Sequence, residues 1–179
     1  MKNEKIDIFI EKLLKWNKIH NLTGATTKEE ILENIKDSIY PIRFLPPIKN
    51  CLDIGSGAGF PGLILAIFMQ KSKFVLVEPR VKRAAFLNYI VSTLDLKNVV
   101  VKNIRVEEIE PKKFELITSR AVAKTSSLLK LSKPFTTKDT ILLLYKGEEV
   151  EKEIKDIKNL KYEIIKREKR RYLLIKGFK

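Results

Sequence analysis

The sequence predicts a doubly wound α/β fold, a mostly parallel sheet of seven strands with an antiparallel edge, preceded by a helical N-terminal extension. From residue 50 onward, short apolar runs alternate with amphipathic stretches, which is typical of parallel strands joined by helices. The last two apolar runs follow each other without a helix, which indicates a hairpin at the sheet edge. Before that, apolar residues recur at helical spacing. We therefore expect an extension over residues 1–47 and an α/β domain over 48–179, forming one globular unit.

Two helices are predicted in the N-terminal extension. The first 18 residues alternate apolar side chains with Lys and Glu at helical spacing, and the segment 21–24 ends this helix. Asn17 and Asn21 are expected to fix that turn by side-chain-to-backbone hydrogen bonds. Thr26 or Thr27 can cap a second helix, which ends before Pro41.

The remaining elements are short and regular. Each predicted strand is an apolar run bounded by turn residues, and each predicted helix between strands carries an apolar face. The predicted strands are 51–54, 74–77, 99–101, 114–118, 141–145, 162–166 and 172–176, and the predicted helices are 62–69, 81–94, 125–131 and 148–158.

Composition narrows the class of protein. The chain of 179 residues has 36 Lys plus Arg against 22 Asp plus Glu, a net charge of +14, which suggests a polyanionic partner such as nucleic acid. The competing explanation for this positive charge is a proteome that is rich in lysine in general. One Cys excludes an internal disulfide framework, and one Cys with one His argues against a zinc site. With no signal peptide and no apolar run near the roughly 20 residues of a membrane span, we expect a cytoplasmic protein with no membrane partner.

A glycine-rich turn, residues 53–62, lies between the first predicted strand and the next helix. Ligands of open parallel sheets bind at this edge, and Gly55, Gly57 and Gly59 let a ligand approach the backbone. Glu78 ends the second strand, about 20 residues further on, where a carboxylate can accept hydrogen bonds from both ribose hydroxyls. The turn could instead be needed only for packing, and Glu78 could be an exposed acid paired with Arg80 or Lys82. Together, however, the turn and Glu78 favour a binding site for a nucleoside-containing cofactor.

The turn also bears on which cofactor binds. Residues 57–62 formally match the G-x-G-x-x-G dinucleotide fingerprint, but Pro61 removes one of the backbone donors that would serve a pyrophosphate. No Gly-Lys-Ser/Thr follows, which excludes a Walker A loop. Asp53 places a carboxylate where it suits a cationic amino-acid group, which S-adenosylmethionine (SAM) has and NAD lacks. SAM is therefore the predicted cofactor.

These residues resemble a known family. The segment 53–62 is similar to motif I of class I SAM-dependent methyltransferases, and Glu78 to their ribose-binding acid. A closer resemblance rests on further segments between about residue 13 and residue 147: 14–18 with 21–23, Asp37-Ser38, Lys82-Arg83 with Phe86-Leu87, 105–108, 118–121 and Lys146-Gly147. In their order and spacing, together with 53–62, these segments resemble the small-subunit ribosomal RNA methyltransferase G family, GidB.

The resemblance implies the class I fold and methylation of N7 of one guanine, position 527 in the 530 loop of 16S ribosomal RNA, free or in the small subunit. It implies that the backbone around Gly55 and Phe60 contacts SAM and that Val106 and Glu107 hold the adenine. Arg120 would lie beside the methyl-transfer site. Asn34 stands where the family often has His, and the N-terminal helix region is short; neither departure is expected to touch the cofactor pocket.

The chemistry fits the residue inventory. Guanine N7 has an in-plane lone pair and no proton, so methylation needs alignment and not a general base. Cys51 opens a strand and is expected in the core, which argues against a C5-pyrimidine methyltransferase. The segment 119–121 lacks the Asp/Asn-Pro-Pro-Tyr/Phe loop common in enzymes that methylate exocyclic amines. N7 methylation is thus the favoured reaction.

Two other functions stay open: a SAM-dependent methyltransferase of a small molecule or protein, and a non-catalytic RNA-binding module. Without a catalytic role, Arg120 would be part of a structural salt bridge, and Lys146 would be either an RNA-phosphate contact or a solvated lysine. The cationic segment 166–171, in a predicted hairpin turn, is either a phosphate-binding or a solvated loop. A monomer is expected. The candidate catalytic residues are Arg120 and Lys146, the candidate cofactor-binding residues are Asp53, Gly55, Gly57, Gly59, Phe60, Glu78, Val106, Glu107 and Arg120, and no metal ligand is predicted.

Overall fold

A computed structural model of the chain describes residues 3–158 and 160–177. Its strands are β1 (Asn50–Ile54), β2 (Lys73–Val77), β3 (Val99–Lys102), β4 (Leu116–Arg120), β5 (Ile141–Lys146), β6 (Lys161–Arg167) and β7 (Arg170–Lys176). Its α-helices are α1 (Glu4–His20), α2 (Lys28–Ile39), α3 (Gly62–Phe68), α4 (Val81–Thr93), α5 (Thr125–Ser132) and α6 (Val150–Ile154). Short 3-10 helices cover Tyr40–Arg43, Val106–Glu108 and Lys133–Phe135.

The seven strands form one sheet in the order β3-β2-β1-β4-β5-β7-β6. Strands β1 to β5 pair in parallel, whereas β7 pairs antiparallel with both β5 and β6. This confirms the predicted α/β fold with an antiparallel edge. The chain winds outward from β1 to β3 and then crosses to β4, so the switch point lies between the carboxyl ends of β1 and β4, where ligands of such sheets bind.

The core has two halves because alternate residues of each strand face opposite sides of the sheet. One half joins strand residues such as Phe74 and Leu116 to Phe9 of α1, Ile31 of α2 and Leu63 of α3. The other half lies under α5 and α6. The N-terminal helices therefore cover one sheet face together with α3 and α4, and the boundary at residues 47 and 48 stays a prediction.

Local signals set the ends of the first two helices. The Asn3 side chain accepts a hydrogen bond from Lys5 N at 3.1 Å at the start of α1. Thr27, not Thr26, caps α2 in a capping box with Glu30. Between them, Asn17 Nδ2 donates to Thr23 O at 3.0 Å and Asn17 Oδ1 accepts from Thr23 N at 2.9 Å. The predicted role of Asn17 in fixing this turn is confirmed.

The predicted bounds of the last helix and of the fourth strand were wrong at both ends. The helix predicted over 148–158 is α6, which begins at Val150 and ends at Ile154, two residues that pack in the core, and the next two residues form a turn. The strand predicted over 114–118 is β4, Leu116–Arg120, because Phe114 packs on Phe135 and donates its N–H to Phe135 O at 3.0 Å instead of joining the ladder.

Strands β5 and β7 are attached to the end of α2. Tyr145 OH donates to Ser38 O at 2.7 Å, and Tyr172 OH contacts Asp37 O at 3.0 Å and donates to Asp37 Oδ1 at 2.8 Å. Two hydroxyl groups from neighbouring strands thereby satisfy polar groups at the helix C-terminus, which otherwise lack partners. Within the described ranges, 3–158 and 160–177, no helix combines the length and hydropathy required to cross a bilayer.

The hairpin turn is where the cationic segment 166–171 lies, and most of its charges are paired. Arg170 Nε is 2.7 Å from Asp37 Oδ2, and Arg167 Nη2 is 2.8 Å from Glu33 Oε1. Lys166 pairs with Glu151 at 3.1 Å and Arg171 with Glu148 at 3.6 Å. Of the five cations in the segment, Lys169 has no carboxylate partner among the described residues. The turn is therefore an ion-paired connection to α2 and α6.

Candidate active site

A cavity of about 720 Å³ opens at the carboxyl ends of β1, β2 and β4, at the switch point of the sheet. Its wall brings together loops that are far apart in the sequence. It is lined by Leu22, Thr23 and Gly24 after α1, by Gly55, Ser56, Gly57, Ala58 and Phe60 after β1, by Glu78, Pro79, Arg80 and Arg83 after β2, by Arg105, and by Arg120, Ala121 and Val122 after β4.

The glycine turn forms the floor of this cavity. Gly55 and Gly57 have φ values of +71° and +57°, in the left-handed region that favours glycine. A side chain at Gly55 would also run into Val122. The N–H groups of Gly55 and Ser56 donate to Val77 O at 2.8 and 3.0 Å, which ties the turn to β2. The predicted cofactor residues Gly55, Gly57 and Phe60 thus lie together, with backbone accessible to a ligand.

Glu78 is held rigidly at the end of β2. Its Oε2 accepts from Gly57 N at 2.8 Å and its Oε1 from Arg80 N at 2.9 Å. The side chain is buried and lines the cavity, so it is not an exposed acid paired with a neighbouring cation. An ionised carboxylate has about four acceptor positions, and two backbone bonds leave capacity for hydroxyl donors. Its position fits the predicted ribose contact.

Asp53 lies beneath the turn and not in the cavity wall. Thr118 Oγ1 donates to Asp53 Oδ1 at 2.7 Å, and Gly62 N donates to Asp53 Oδ2 at 3.2 Å. Burial raises the pKa of this carboxyl to about 6, against the stabilising effect of these hydrogen bonds. Asp53 therefore joins β1 to β4 and to the start of α3, and its direct contact with the cofactor stays a prediction.

Asp53→Asn is expected to stabilise the protein at neutral pH. The folded carboxyl keeps its proton up to a pKa of about 6, against an ordinary value of 3.8, so ionisation costs folding free energy as pH rises through this range. An amide can keep both contacts, accepting from Gly62 N and donating to Thr118 Oγ1. At pH 7 we expect the free energy of unfolding to increase by about 1–3 kcal/mol, because each pKa unit corresponds to roughly 1.4 kcal/mol. This gain should shrink toward zero near pH 4.

Urea unfolding of the wild type and Asp53→Asn between pH 4 and 7.5 measures this gain. Asp139→Asn, which replaces an exposed carboxylate between α5 and β5, serves as the control and should leave the pH profile unchanged. An Asp53→Asn variant with the same pH profile as the wild type would contradict the assigned pKa.

Arg120 closes the other end of the cavity. Its guanidinium lies 4.8 Å from the centroid of the Phe60 ring, and Nη1 donates to Asn34 Oδ1 at 3.1 Å. Nη1 is also 3.6 Å from Asp37 Oδ2. Burial lowers the pKa of Arg120, and the nearby Asp37 opposes this shift. Arg120 therefore lines the cavity and is also ion-paired, and its catalytic role stays a prediction.

Asn34 lies beside the cavity without lining it. As expected, the departure from the family's usual His at this position is not part of the cavity wall, but Asn34 Oδ1 accepts a hydrogen bond from Arg120, which is. This contact joins α2 to the end of β4, and no local pattern reveals it. Asn34, which lies one helical turn before Asp37, therefore also helps to orient a side chain of the cavity wall.

Lys146 is turned away from the cavity. Its Nζ donates to Ala123 O at 3.1 Å and to Glu153 Oε1 at 2.9 Å. Glu153 also accepts from Thr125 N, so this pair holds the loop between β4 and α5. Lys146 is neither solvated nor in the cavity wall, and its catalytic role stays a prediction.

The adenine-binding expectation is also untested. Val106 is buried in the core and Glu107 is exposed, and neither side chain is in the cavity wall, although Arg105 beside them is. Gly59 has φ +103° and packs on Leu63, just outside that wall.

Sequence reasoning missed three cationic residues of the cavity wall, Arg80, Arg83 and Arg105. Arg83 and Arg105 lie in segments that carry the family resemblance, and that resemblance is the signal that could have identified them. Arg80 was considered only as a partner of Glu78, and it is the Arg80 backbone N–H that contacts this carboxylate.

Comparison with known proteins agrees with this geometry. The family model described as GidB, rRNA small subunit methyltransferase G, matches residues 2–175. The ribosomal RNA small subunit methyltransferase G of Aliarcobacter butzleri (strain RM4018) is 45% identical over 174 residues, covering 97% of this chain and 90% of that protein.

Solved methyltransferase structures share the fold. A putative O-methyltransferase from Klebsiella pneumoniae superimposes with a TM-score of 0.68 at 11% identity, covering 100% of this chain and 92% of that one. Coclaurine N-methyltransferase bound to N-methylheliamine and SAH gives 0.59 at 21% identity, covering 75% and 42%. The fold is that of class I SAM-dependent methyltransferases, as predicted. Because the family model spans nearly the whole sequence, the chain belongs to the rRNA small subunit methyltransferase G family, GidB.

Proposed function

We propose that this protein transfers a methyl group from SAM to N7 of one guanine in 16S ribosomal RNA, position 527 in the 530 loop. The observation that carries the proposal is the arrangement of the cavity. Glu78 is fixed at one end as an acceptor, glycine backbone forms the floor, and Arg120 stands over Phe60 at the other end. We further propose a monomer that acts in the cytoplasm, with residues 1–47 as an extension of the domain 48–179.

The residues present fit SAM. Glu78 would accept hydrogen bonds from the ribose, and the backbone at Gly55 and Gly57 would lie against the cofactor without a side chain between. Val106 and Glu107 would serve the adenine through their backbone, since neither side chain lines the cavity. When bound, SAM supplies an electrophilic methyl group on a sulfonium.

The chain's own residues have a limited task in this reaction. Guanine N7 carries a lone pair, so no group has to remove a proton, and none of the residues in the cavity wall is a His. Arg120 would donate to the guanine O6, the acceptor next to N7, and so orient the base. Methylation makes the base cationic, and the neighbouring guanidinium then favours its release by like-charge repulsion.

Labelled SAM with small ribosomal subunits from cells lacking the enzyme tests this proposal. Label is expected at one guanine of the 530 loop, as N7-methylguanine. A matched RNA transcript with 7-deazaguanine, which has carbon in place of N7, should accept no methyl group. Label on a ribosomal protein, on another nucleotide, or on the 7-deaza transcript would contradict the proposal. Calorimetry that detects no SAM binding would instead favour a non-catalytic RNA-binding module.

A further inference from the structure

Three arginines stand at the rim of the cavity, and the proposed methyl transfer uses none of them. Arg80 immediately precedes α4, Arg83 lies in the first turn of that helix, and Arg105 follows β3. Arg80 and Arg105 are exposed and Arg83 is half-buried. We refer to these three residues as the rim arginines.

The rim arginines lack acidic partners. Among the residues that the structure describes, no carboxylate oxygen lies within 4.0 Å of their guanidinium nitrogens. The first turn of α4 contains no acidic residue, whereas α1 and α2 each begin with two. The contrast with the segment 166–171 is direct, because four of its five cations are ion-paired.

This difference decides which cations are available to an anionic partner. A guanidinium already paired with a carboxylate must give up that contact to bind a phosphate, whereas an unpaired exposed one exchanges only water and counterions. The rim arginines place three positive charges on the wall of one cavity, and like charges destabilise one another. A bound polyanion would remove this cost. SAM has a single carboxylate, so it leaves at least two of the three without an anion.

We propose that the rim arginines form the surface on which phosphates of the substrate RNA dock, and that the segment 166–171 is mainly structural. This rests on the proposed function, since the partner is the RNA whose guanine is methylated. Phosphates held at the rim would place the RNA over the opening of the cavity, so that one base can enter toward Arg120. The docking surface lies on the β2 and β3 side of the opening.

The test is the salt dependence of RNA binding by a triple variant, Arg80→Ala with Arg83→Ala and Arg105→Ala. The matched control is Lys71→Ala with Lys112→Ala and Lys138→Ala, three exposed lysines at the opposite, amino-terminal edge of the parallel strands. Both variants remove three positive charges. The probe is a 16S ribosomal RNA fragment that contains the 530 loop, titrated at several salt concentrations, with SAM affinity measured separately by calorimetry.

The rim variant is expected to show a slope of log K against log salt that is shallower by about 2 to 3, because each phosphate that is no longer neutralised reduces the slope by roughly 0.7–0.9. Its RNA affinity should fall by at least about tenfold at moderate salt, and its SAM affinity by much less than its RNA affinity. The control should change the slope by less than about 1, and Lys169→Ala should leave it nearly unchanged.

Three results would overturn the inference. Equal slope changes in the rim and control variants would mean that net charge alone governs binding. An unchanged slope together with weakened SAM binding would assign the rim arginines to the cofactor site. A larger effect from Lys169→Ala would place the RNA on the hairpin turn. If the wild type binds the RNA through the rim but transfers no methyl group, the docking surface is supported and the proposed function fails.

Discussion

Arg120→Ala is expected to lower the rate of methyl transfer by at least about 100-fold, the usual cost of removing a positioned donor from an active site. Arg120 is the cation that the cavity presents beside Phe60, and its guanidinium is oriented by Asn34 and Asp37. Alanine removes the donors that would align the guanine and the contact with the Phe60 ring, while the hydrogen bonds of Gly57 and Glu78 remain. We therefore expect SAM affinity to stay within a few-fold of the wild type, and a larger loss would support the predicted contact of Arg120 with the cofactor. Single-turnover rates at saturating SAM and RNA measure the effect.

The fold should survive this substitution. Asp37 keeps Arg170 at 2.7 Å and the hydroxyl of Tyr172 at 2.8 Å, so its buried carboxylate retains two of its partners. A thermal unfolding curve close to that of the wild type would separate an effect on the chemistry from an effect on the fold. Retained turnover in Arg120→Ala would move the methyl-transfer site elsewhere.

Two further variants resolve how Arg120 acts. Arg120→Lys keeps a positive charge but not the planar fork of donors, and it should recover only a small part of the rate. Asn34→Ala leaves the guanidinium in place and removes its 3.1 Å hydrogen bond, so a smaller decrease of about tenfold is expected. Equal rates for the wild type and Asn34→Ala would show that Asp37 and Phe60 suffice to orient Arg120.

Glu78→Ala is expected to weaken SAM binding by on the order of 100-fold. The change removes the carboxylate that would accept the ribose hydroxyls, and charged hydrogen bonds contribute about 1.5–3 kcal/mol each. It also leaves Gly57 N and Arg80 N without their acceptor, which loosens the floor of the cavity. Calorimetry with SAM and with its demethylated product measures the decrease, which should be similar for both because the ribose is common to them.

Glu78→Gln tests the role of the carboxylate with a smaller change in the structure. The Gln amide has the same shape as the Glu carboxylate, but its NH₂ group faces one of the two backbone N–H groups. That hydrogen bond is then replaced by a contact between two donors. Its SAM affinity should lie between those of the wild type and Glu78→Ala. Glu110→Ala, which removes an exposed acid outside the cavity wall, is the control and should bind SAM normally. Unchanged affinity in Glu78→Ala with an intact melting curve would refute the ribose assignment.

Much of the fold and part of the site follow from local patterns. Apolar runs placed every strand, the helix missing before β7 indicated the antiparallel edge, and the glycine spacing marked the turn at the switch point. Cys51 is buried as predicted. The position of Glu78 at the end of β2 needed only strand periodicity and its distance from the turn. These features depend on residues close together in the chain, so local patterns are enough to predict them.

The roles of individual charged side chains could not be predicted from the sequence in the same way. Asp53 has Thr118 as its partner, Lys146 has Ala123 and Glu153, and Arg170 has Asp37. These contacts, except that of Lys146 with Glu153, join residues more than 20 positions apart: they cross neighbouring strands, join a strand to the loop after β4, or join a strand to α2. A pattern of residue types shows that a cation is present, but not whether a carboxylate lies beside it.

The α/β architecture, the place of the cavity and the family could all be read from the order of residues, because strand and helix periodicity and the spacing of motif residues are properties of that order. Which charges are available to a partner depends instead on the folded arrangement. Folding brings Asp37 against Arg170 and leaves Arg83 without an acidic partner among the described residues. A buried carboxylate is stabilised only by partners within a few ångströms, and those distances are set by how α2 and the hairpin pack on the sheet.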